Sequence, residues 1–129
     1  MIIRDSIQND IIIDEPVIKE VIFTYEFQRL RKIKQLGLSS IIFPSADHAR
    51  FSHSIGVYNL AKRYIEAIEK NANIEFSEDE KLALKLASIL HDIGHGPLSH
   101  TSEDFFNFSH EDYSVGIIVG NTEVNSVLK

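Results

Sequence analysis

All six histidines of this 129-residue sequence fall between His48 and His110. His53 begins a stretch of helical periodicity and the dipeptide His91-Asp92 closes another. Antiparallel packing of two such helices would bring two imidazoles and a carboxylate together. Three N/O donors make a metal site with open positions, where a coordinated water is acidified, to a pKa of about 7 for zinc; a purely structural zinc site would take four protein ligands. Mixed His and carboxylate ligation suits iron, manganese, zinc or magnesium alike. Directly after Asp92, the run Ile93-Gly94-His95-Gly96-Pro97-Leu98-Ser99-His100 leaves the helix through a glycine and proline turn that presents two more histidines. Its glycines let backbone approach a ligand closely, and imidazoles titrating near neutrality suit general acid or base work on a phosphate ester. Each feature also has a plainer reading: His53 as an ordinary helix-start residue, His-Asp as a chance dipeptide, the turn as a helix cap facing water.

The elements that must position these residues are mostly helical. Asp14 can cap a helix with Pro16 early in it and Ile18, Val21 and Ile22 on its apolar face. Thr24 caps a second over Tyr25–Gln35, where Phe27, Leu30 and Ile33 recur at helical spacing and Gly37 offers the stop. Ile11–Ile13 and Ile41–Phe43 are β-prone runs, predicted to form a small strand pair. From about His53 to Lys70, Val57, Leu60, Ala61, Tyr64, Ile65 and Ile68 trace one helical face. Ser77 with Glu80 reads as a capping box for a helix running to about His91, with Leu82, Leu86, Ile89 and Leu90 inward and Gly94 ending it. His110–Lys129 carries a weaker helical pattern interrupted at Gly116, Gly120 and Asn121.

Composition narrows the function classes. The absence of cysteine excludes disulfides, Cys-type zinc or iron–sulfur sites and thiol nucleophiles, so any metal must be held by His, Asp or Glu. A net charge of −6 argues against a general nucleic-acid coat. No run reaches the roughly 18 apolar residues of a membrane helix, and no signal-peptide pattern opens the sequence; the expected place is the cytoplasm, with the nucleus open. Arg29, Arg31, Lys32 and Lys34 cannot all share one helix face and read as solvated, while Phe105, Phe106 and Phe108 are expected to pack. His48 reads as an exposed or structural histidine.

Taken together, Phe27-Gln28-Arg29-Leu30-Arg31-Lys32-Ile33-Lys34-Gln35-Leu36-Gly37, His48-Ala49-Arg50-Phe51-Ser52-His53-Ser54, His91-Asp92 with the turn to His100, and His110-Glu111 resemble the HD-domain metal phosphohydrolases. Within them the sequence is most similar to the deoxynucleoside triphosphate triphosphohydrolase group. The resemblance implies an all-α HD helical bundle over residues 1–129, read as one domain and as the N-terminal portion of the family's fold. It implies His53, His91 and Asp92 as ligands of a divalent metal ion. His95, His100 and His110 would face the phosphates, His100 as the acid that protonates the leaving oxygen and Glu103 as its orienting carboxylate. Gln35 and Leu36 would touch the sugar and base, and Arg50 the α-phosphate, where a planar guanidinium fork binds oxygens in pairs. Gln28 and Arg31 would bind a regulatory nucleotide at a subunit interface of a homo-oligomer. The implied reaction converts a dNTP to a deoxynucleoside and tripolyphosphate.

Two departures from the family pattern qualify these expectations. The family's further aspartate ligand has no counterpart in Glu111–Lys129, with Asp112 too near the His-Glu turn, so this stretch is expected to expose apolar surface and to lack activity alone. Near the start, Asp5-Ser6-Ile7-Gln8-Asn9 replaces the family's Asp-Pro-x-His-Gly, which bears on the regulatory nucleotide. The rival readings are a nucleotide- or single-strand-binding HD module without turnover, and an HD phosphodiesterase for another nucleotide.

Overall fold

The computed structural model describes residues 1–98 and 100–129, and every side chain among them except that of Asp104. Ser99, within the turn motif that ends at His100, lies outside the described residues. The chain opens with a hairpin, β1 (Ile2–Asp5) antiparallel to β2 (Asn9–Ile12), in the register Ile2 to Ile12 and Asp5 to Asn9. Helices follow: α1 (Pro16–Phe23), α2 (Tyr25–Gln28), α3 (Arg50–Ala72), α4 (Glu78–Leu90), α5 (His100–Phe106), α6 (His110–Val119) and α7 (Glu123–Leu128). Two 3-10 segments, Arg29–Lys32 and Gly37–Ile41, link α2 to the approach to α3. The result is the expected mostly helical architecture with a small two-stranded sheet.

The sheet corrects the predicted pairing. Ile11 and Ile12 do lie in a strand, but their partner is the start of the chain and not Ile41–Phe43. Asp5 closes the hairpin locally: its Oδ1 accepts from the backbone N–H groups of Ile7 (2.9 Å) and Gln8 (2.8 Å), and Asn9 takes the left-handed φ of 63° that the turn needs. Residues 41–43 instead end the second 3-10 segment and lie exposed.

Caps set the helix starts. Thr24 accepts from the Phe27 N–H, and the Ser77–Glu80 capping box forms in both directions. Pro16 takes the first turn of α1, with Glu15 rather than Asp14 in the cap position. The helix predicted over Tyr25–Gln35 is shorter. It tightens to 3-10 after Gln28 because Ile33 turns extended to accept from the Arg50 N–H (2.8 Å), and Lys34 bridges Ala49.

The core gathers Ile11, Ile13, Ile18, Phe27, Leu30, Phe51, Ile55, Tyr58, Ile89, Leu90 and Ile93, with Val124 from α7. α3 and α4 pack along each other over this core. Midway along them Glu15 accepts from the Tyr58 hydroxyl and from Lys85 Nζ, both at 2.6 Å, so one carboxylate ties the start of α1 to α3 and α4. The apolar stripes extend beyond the core: Leu60, Tyr64, Ile41 and Ile42 are exposed. So are Phe105 (83%) and Phe106 (74%), against the expectation that they pack. α5 presents them away from the core because its other face carries His100 and Glu103 to the site.

Candidate metal centre

His53 stands in the first turn of α3 and His91 caps the C-terminus of α4, so the side-by-side packing of these helices brings the two imidazoles to one place. Their Nε2 atoms are 3.3 Å apart. Asp92 closes the triangle, with Oδ1 at 3.3 Å from His91 Nε2 and Oδ2 at 3.5 Å from His53 Nε2. Donors held about 2.1 Å from one ion and roughly 90–110° apart at it are separated by about 3.0–3.4 Å, so the spacing fits a shared cation. The His91 tautomer fits as well. Its Nδ1 lies 2.8 Å from the Ser88 carbonyl, which places the proton there and leaves the Nε2 lone pair facing the centre. Burial lowers the His53 pKa, with Asp92 opposing, and so favours the neutral, ligating form.

Asp92 is buried and heavily supported. Arg50, itself 2% exposed, donates from Nη1 to Asp92 Oδ2 at 2.5 Å, and His95 Nε2 stands 3.4 Å from Oδ1. Burial alone would raise this carboxyl's pKa. The His95 hydrogen bond and the charges of His91 and Arg50 outweigh it and hold the group well below the usual carboxylate range. The expected metal set, His53, His91 and Asp92, is thus brought together in a geometry that could hold a divalent ion.

A second cluster adjoins the first through His95. This residue is 1% exposed and stacks on His110 with ring centroids 3.8 Å apart, while His100 meets both rings edge-on. Glu103, one turn after His100 on α5, points Oε1 at all three: 3.1 Å from His100 Nδ1, 3.0 Å from His110 Nδ1 and 3.6 Å from His95 Nδ1. Burial raises the Glu103 pKa, but the His110 hydrogen bond and the neighbouring imidazoles bring it below its ordinary value. All four residues expected around the phosphates therefore converge.

Local backbone geometry makes this convergence possible. Gly94 lies in the turn after α4, where an added Cβ would sit 2.1 Å from the His110 carbonyl oxygen and 2.4 Å from the Ser114 nitrogen. Only glycine lets the first turn of α6, with His110, come this close. Ser114 pins the approach, its hydroxyl accepting from the Gly94 N–H at 2.9 Å. On the other side Arg29 donates to the His95 carbonyl (2.6 Å) and to the Ile93 carbonyl, clamping the turn. Arg29 was expected on a solvated face and is instead half-buried. A charge run gives no sign of which member turns inward.

The remaining expected residues sit around this frame. The Gln35 N–H donates to the His48 carbonyl (3.0 Å) beside the Lys34–Ala49 bridge, and Gln35 and Leu36 form the turn that follows. Gln28 accepts from Arg31 Nε at 2.8 Å, and the Arg31 guanidinium lies over the Phe51 ring. His48 and Asp112 are exposed and lie outside both donor groups.

Comparison with known proteins accords with this geometry. A family profile described as HD domain matches residues 50–129, the stretch that contains both clusters. The Bacillus subtilis protein YwfO is 42% identical over 99% of this chain, and the deoxynucleoside triphosphate triphosphohydrolase SAMHD1 homolog of Dictyostelium discoideum is 42% identical over 78% of it. The crystal structure of a phosphohydrolase from Bacteroides thetaiotaomicron superposes with a TM-score of 0.85 at 38% identity, over 92% of this chain. The chain spans 29%, 21% and 30% of those three proteins respectively. No described helix is long and apolar enough to cross a membrane. By the profile match and the architecture together, the chain belongs to the HD-domain family.

Proposed function

We propose that this HD domain, taken as one unit over residues 1–129, carries out metal-dependent phosphohydrolysis of a nucleotide, converting a dNTP to a deoxynucleoside and triphosphate. The observation that carries the reading is the convergence of His53, His91 and Asp92 beside the His95, His100, Glu103 and His110 cluster. The donor triangle leaves coordination positions open, and the adjoining imidazoles supply proton donors where a leaving group would depart.

His53, His91 and Asp92 would hold a divalent ion, which when bound would supply Lewis acidity and lower the pKa of a water nucleophile. The residues do the rest. Asp92 stays ionised because Arg50, His91 and His95 surround it. Arg50 orients Asp92 and is the residue assigned to the α-phosphate. His95 and His110 are assigned to the phosphates: His110 presents its ring to a phosphate oxygen, stabilising charge that grows in the transition state, and His95, whose Nε2 faces Asp92, stacks on the His110 ring and positions it. His100 is 71% exposed with Nδ1 3.1 Å from Glu103 Oε1, and it is the group assigned to protonate the departing 5′-oxygen. Gln35 and Leu36 are assigned to the sugar and base. Gln28 and Arg31 are assigned to a regulatory nucleotide in a homo-oligomeric, cytoplasmic protein. The relationship to the Dictyostelium triphosphohydrolase supports the dNTP assignment.

Product analysis tests it. Incubation with a panel of deoxynucleotides and ribonucleotides, resolved by chromatography, is expected to yield deoxynucleoside and intact triphosphate from dNTPs. Release of orthophosphate or pyrophosphate instead would reject the reaction, and preference for a cyclic or ribonucleotide substrate would reject the substrate class.

A further inference from the structure

The Glu103 cluster contains an atom that the hydrolase reading leaves unused. His95 Nε2 lies 3.4 Å from Asp92 Oδ1, and as a hydrogen-bond donor there it carries the ring proton. In a neutral imidazole the other nitrogen, Nδ1, is then a bare lone pair. Yet Nδ1 is buried, has no hydrogen-bond partner, and faces the Glu103 carboxylate 3.6 Å away. One acceptor thus confronts another in the interior, an arrangement that a cation between them would resolve.

We propose that His95, His100, Glu103 and His110 form a second metal site, which takes a late first-row ion such as Zn2+ in four-coordination and whose occupancy stops hydrolysis. The donors are the set such an ion prefers, three imidazoles and one carboxylate. One ligand atom from each lies within 4.8 Å of the others, and the Glu103 oxygen is already 3.0–3.6 Å from the three Nδ1 atoms. Four-coordinate donors stand roughly 3.3 Å apart, so small rotamer shifts close the site. Asp92 acts on His95 as a carboxylate acts on a zinc-bound histidine, fixing the tautomer from the far nitrogen. The site has four protein donors where the first centre has three, so it is closed rather than open to substrate. Occupancy draws His100 Nδ1 from Glu103 to the ion, so its Nε2–H belongs to a metal-bound neutral imidazole, a far weaker acid for the leaving oxygen than an imidazolium. The binding claim stands on the donors alone; the inhibitory claim rests on the hydrolase reading.

Cobalt titration of the purified protein separates the two. Wild-type protein is expected to bind two Co2+ per chain, one giving the intense visible absorption of four-coordinate cobalt. Glu103→Gln and the surface variant His100→Ala should each lose that absorption and weaken the second site by roughly 100-fold, with circular dichroism unchanged. His91→Ala should keep the absorption while losing the first ion. Excess Zn2+ should suppress wild-type turnover in step with filling of the second site. One ion per chain in the wild type, or the same absorption in folded His100→Ala, overturns the second site. A filled second site with full turnover overturns its inhibitory role. Loss of the first ion without loss of turnover rejects the hydrolase reading and leaves the second site standing.

Discussion

The His53 and His91 Nε2 atoms meet 3.3 Å apart, although 38 residues separate them in sequence and each lies at the end of a different helix. The His91 proton is committed to the Ser88 carbonyl at Nδ1, so His91 Nε2 turns its lone pair toward the His53 ring. Two imidazole nitrogens converging on one point, closed by a carboxylate that Arg50 holds in place, fit a cation site. The stiffness comes from beneath: α3 and α4 meet through Phe51, Ile55, Ile89 and Leu90, all buried.

Gly94→Ala tests the packing that delivers His110. The new methyl would meet the His110 carbonyl at 2.1 Å, and that oxygen is backbone and cannot rotate away. The variant is expected to lose about 1–3 kcal/mol of stability in urea denaturation and to lose activity beyond what unfolding explains. Gly116→Ala in the same helix is the control. Nothing lies within 4 Å of a Cβ there, and removing a helical glycine should stabilise by about 0.5–1 kcal/mol.

Arg29→Met tests the clamp on the turn. The substitution keeps the bulk but strips the donors from the His95 and Ile93 carbonyls. Loss of about 1–3 kcal/mol is expected, together with weaker metal binding at the first centre because the turn that carries Asp92 and His95 is freed. Lys32→Met, on the exposed side of the same segment, should change stability by less than about 0.5 kcal/mol. Both are read by denaturant melts with and without metal.

These two residues also show how much was legible in the sequence. The cap at Thr24, the Ser77–Glu80 box and the paired helices bearing His53 and His91 were readable because each is a local pattern with a local cause. The partner of β2 was not: both runs of isoleucine had equal strand propensity, and the choice was made by the Asp5 side chain closing a turn. Arg29 was hidden for a similar reason. Its neighbours Arg31 and Lys32 have the same composition, and only the tertiary position of the Ile93–His95 turn distinguishes them. Phe105 and Phe106 were expected inward on hydrophobicity alone, but α5 is oriented by His100 and Glu103. The role of Gly94 was read as a helix stop, whereas its tightest constraint is the α6 backbone laid against it.

Glu15 predicts an acid limit to stability. Burial raises its pKa, but hydrogen bonds from Lys85 and Tyr58 and the Lys85 charge bring it down from 4.5 to about 2. A carboxyl depressed in the folded state contributes stability above its unfolded pKa and loses it as pH falls toward the folded value. The contribution, on the order of 1–3 kcal/mol, should therefore be full above about pH 4.5 and disappear by about pH 2. Urea melts of wild type and Glu15→Gln across this range should differ most at neutral pH and converge at the acid end. A constant difference would contradict the assignment.

The most direct measurement is elemental analysis and dNTP hydrolysis on the same preparations of wild type and His91→Ala. The account expects the variant to lose one metal ion per chain and to lose hydrolysis by roughly 100-fold or more, while circular dichroism shows an intact helical fold. Hydrolysis at the wild-type rate in the metal-depleted variant would contradict it.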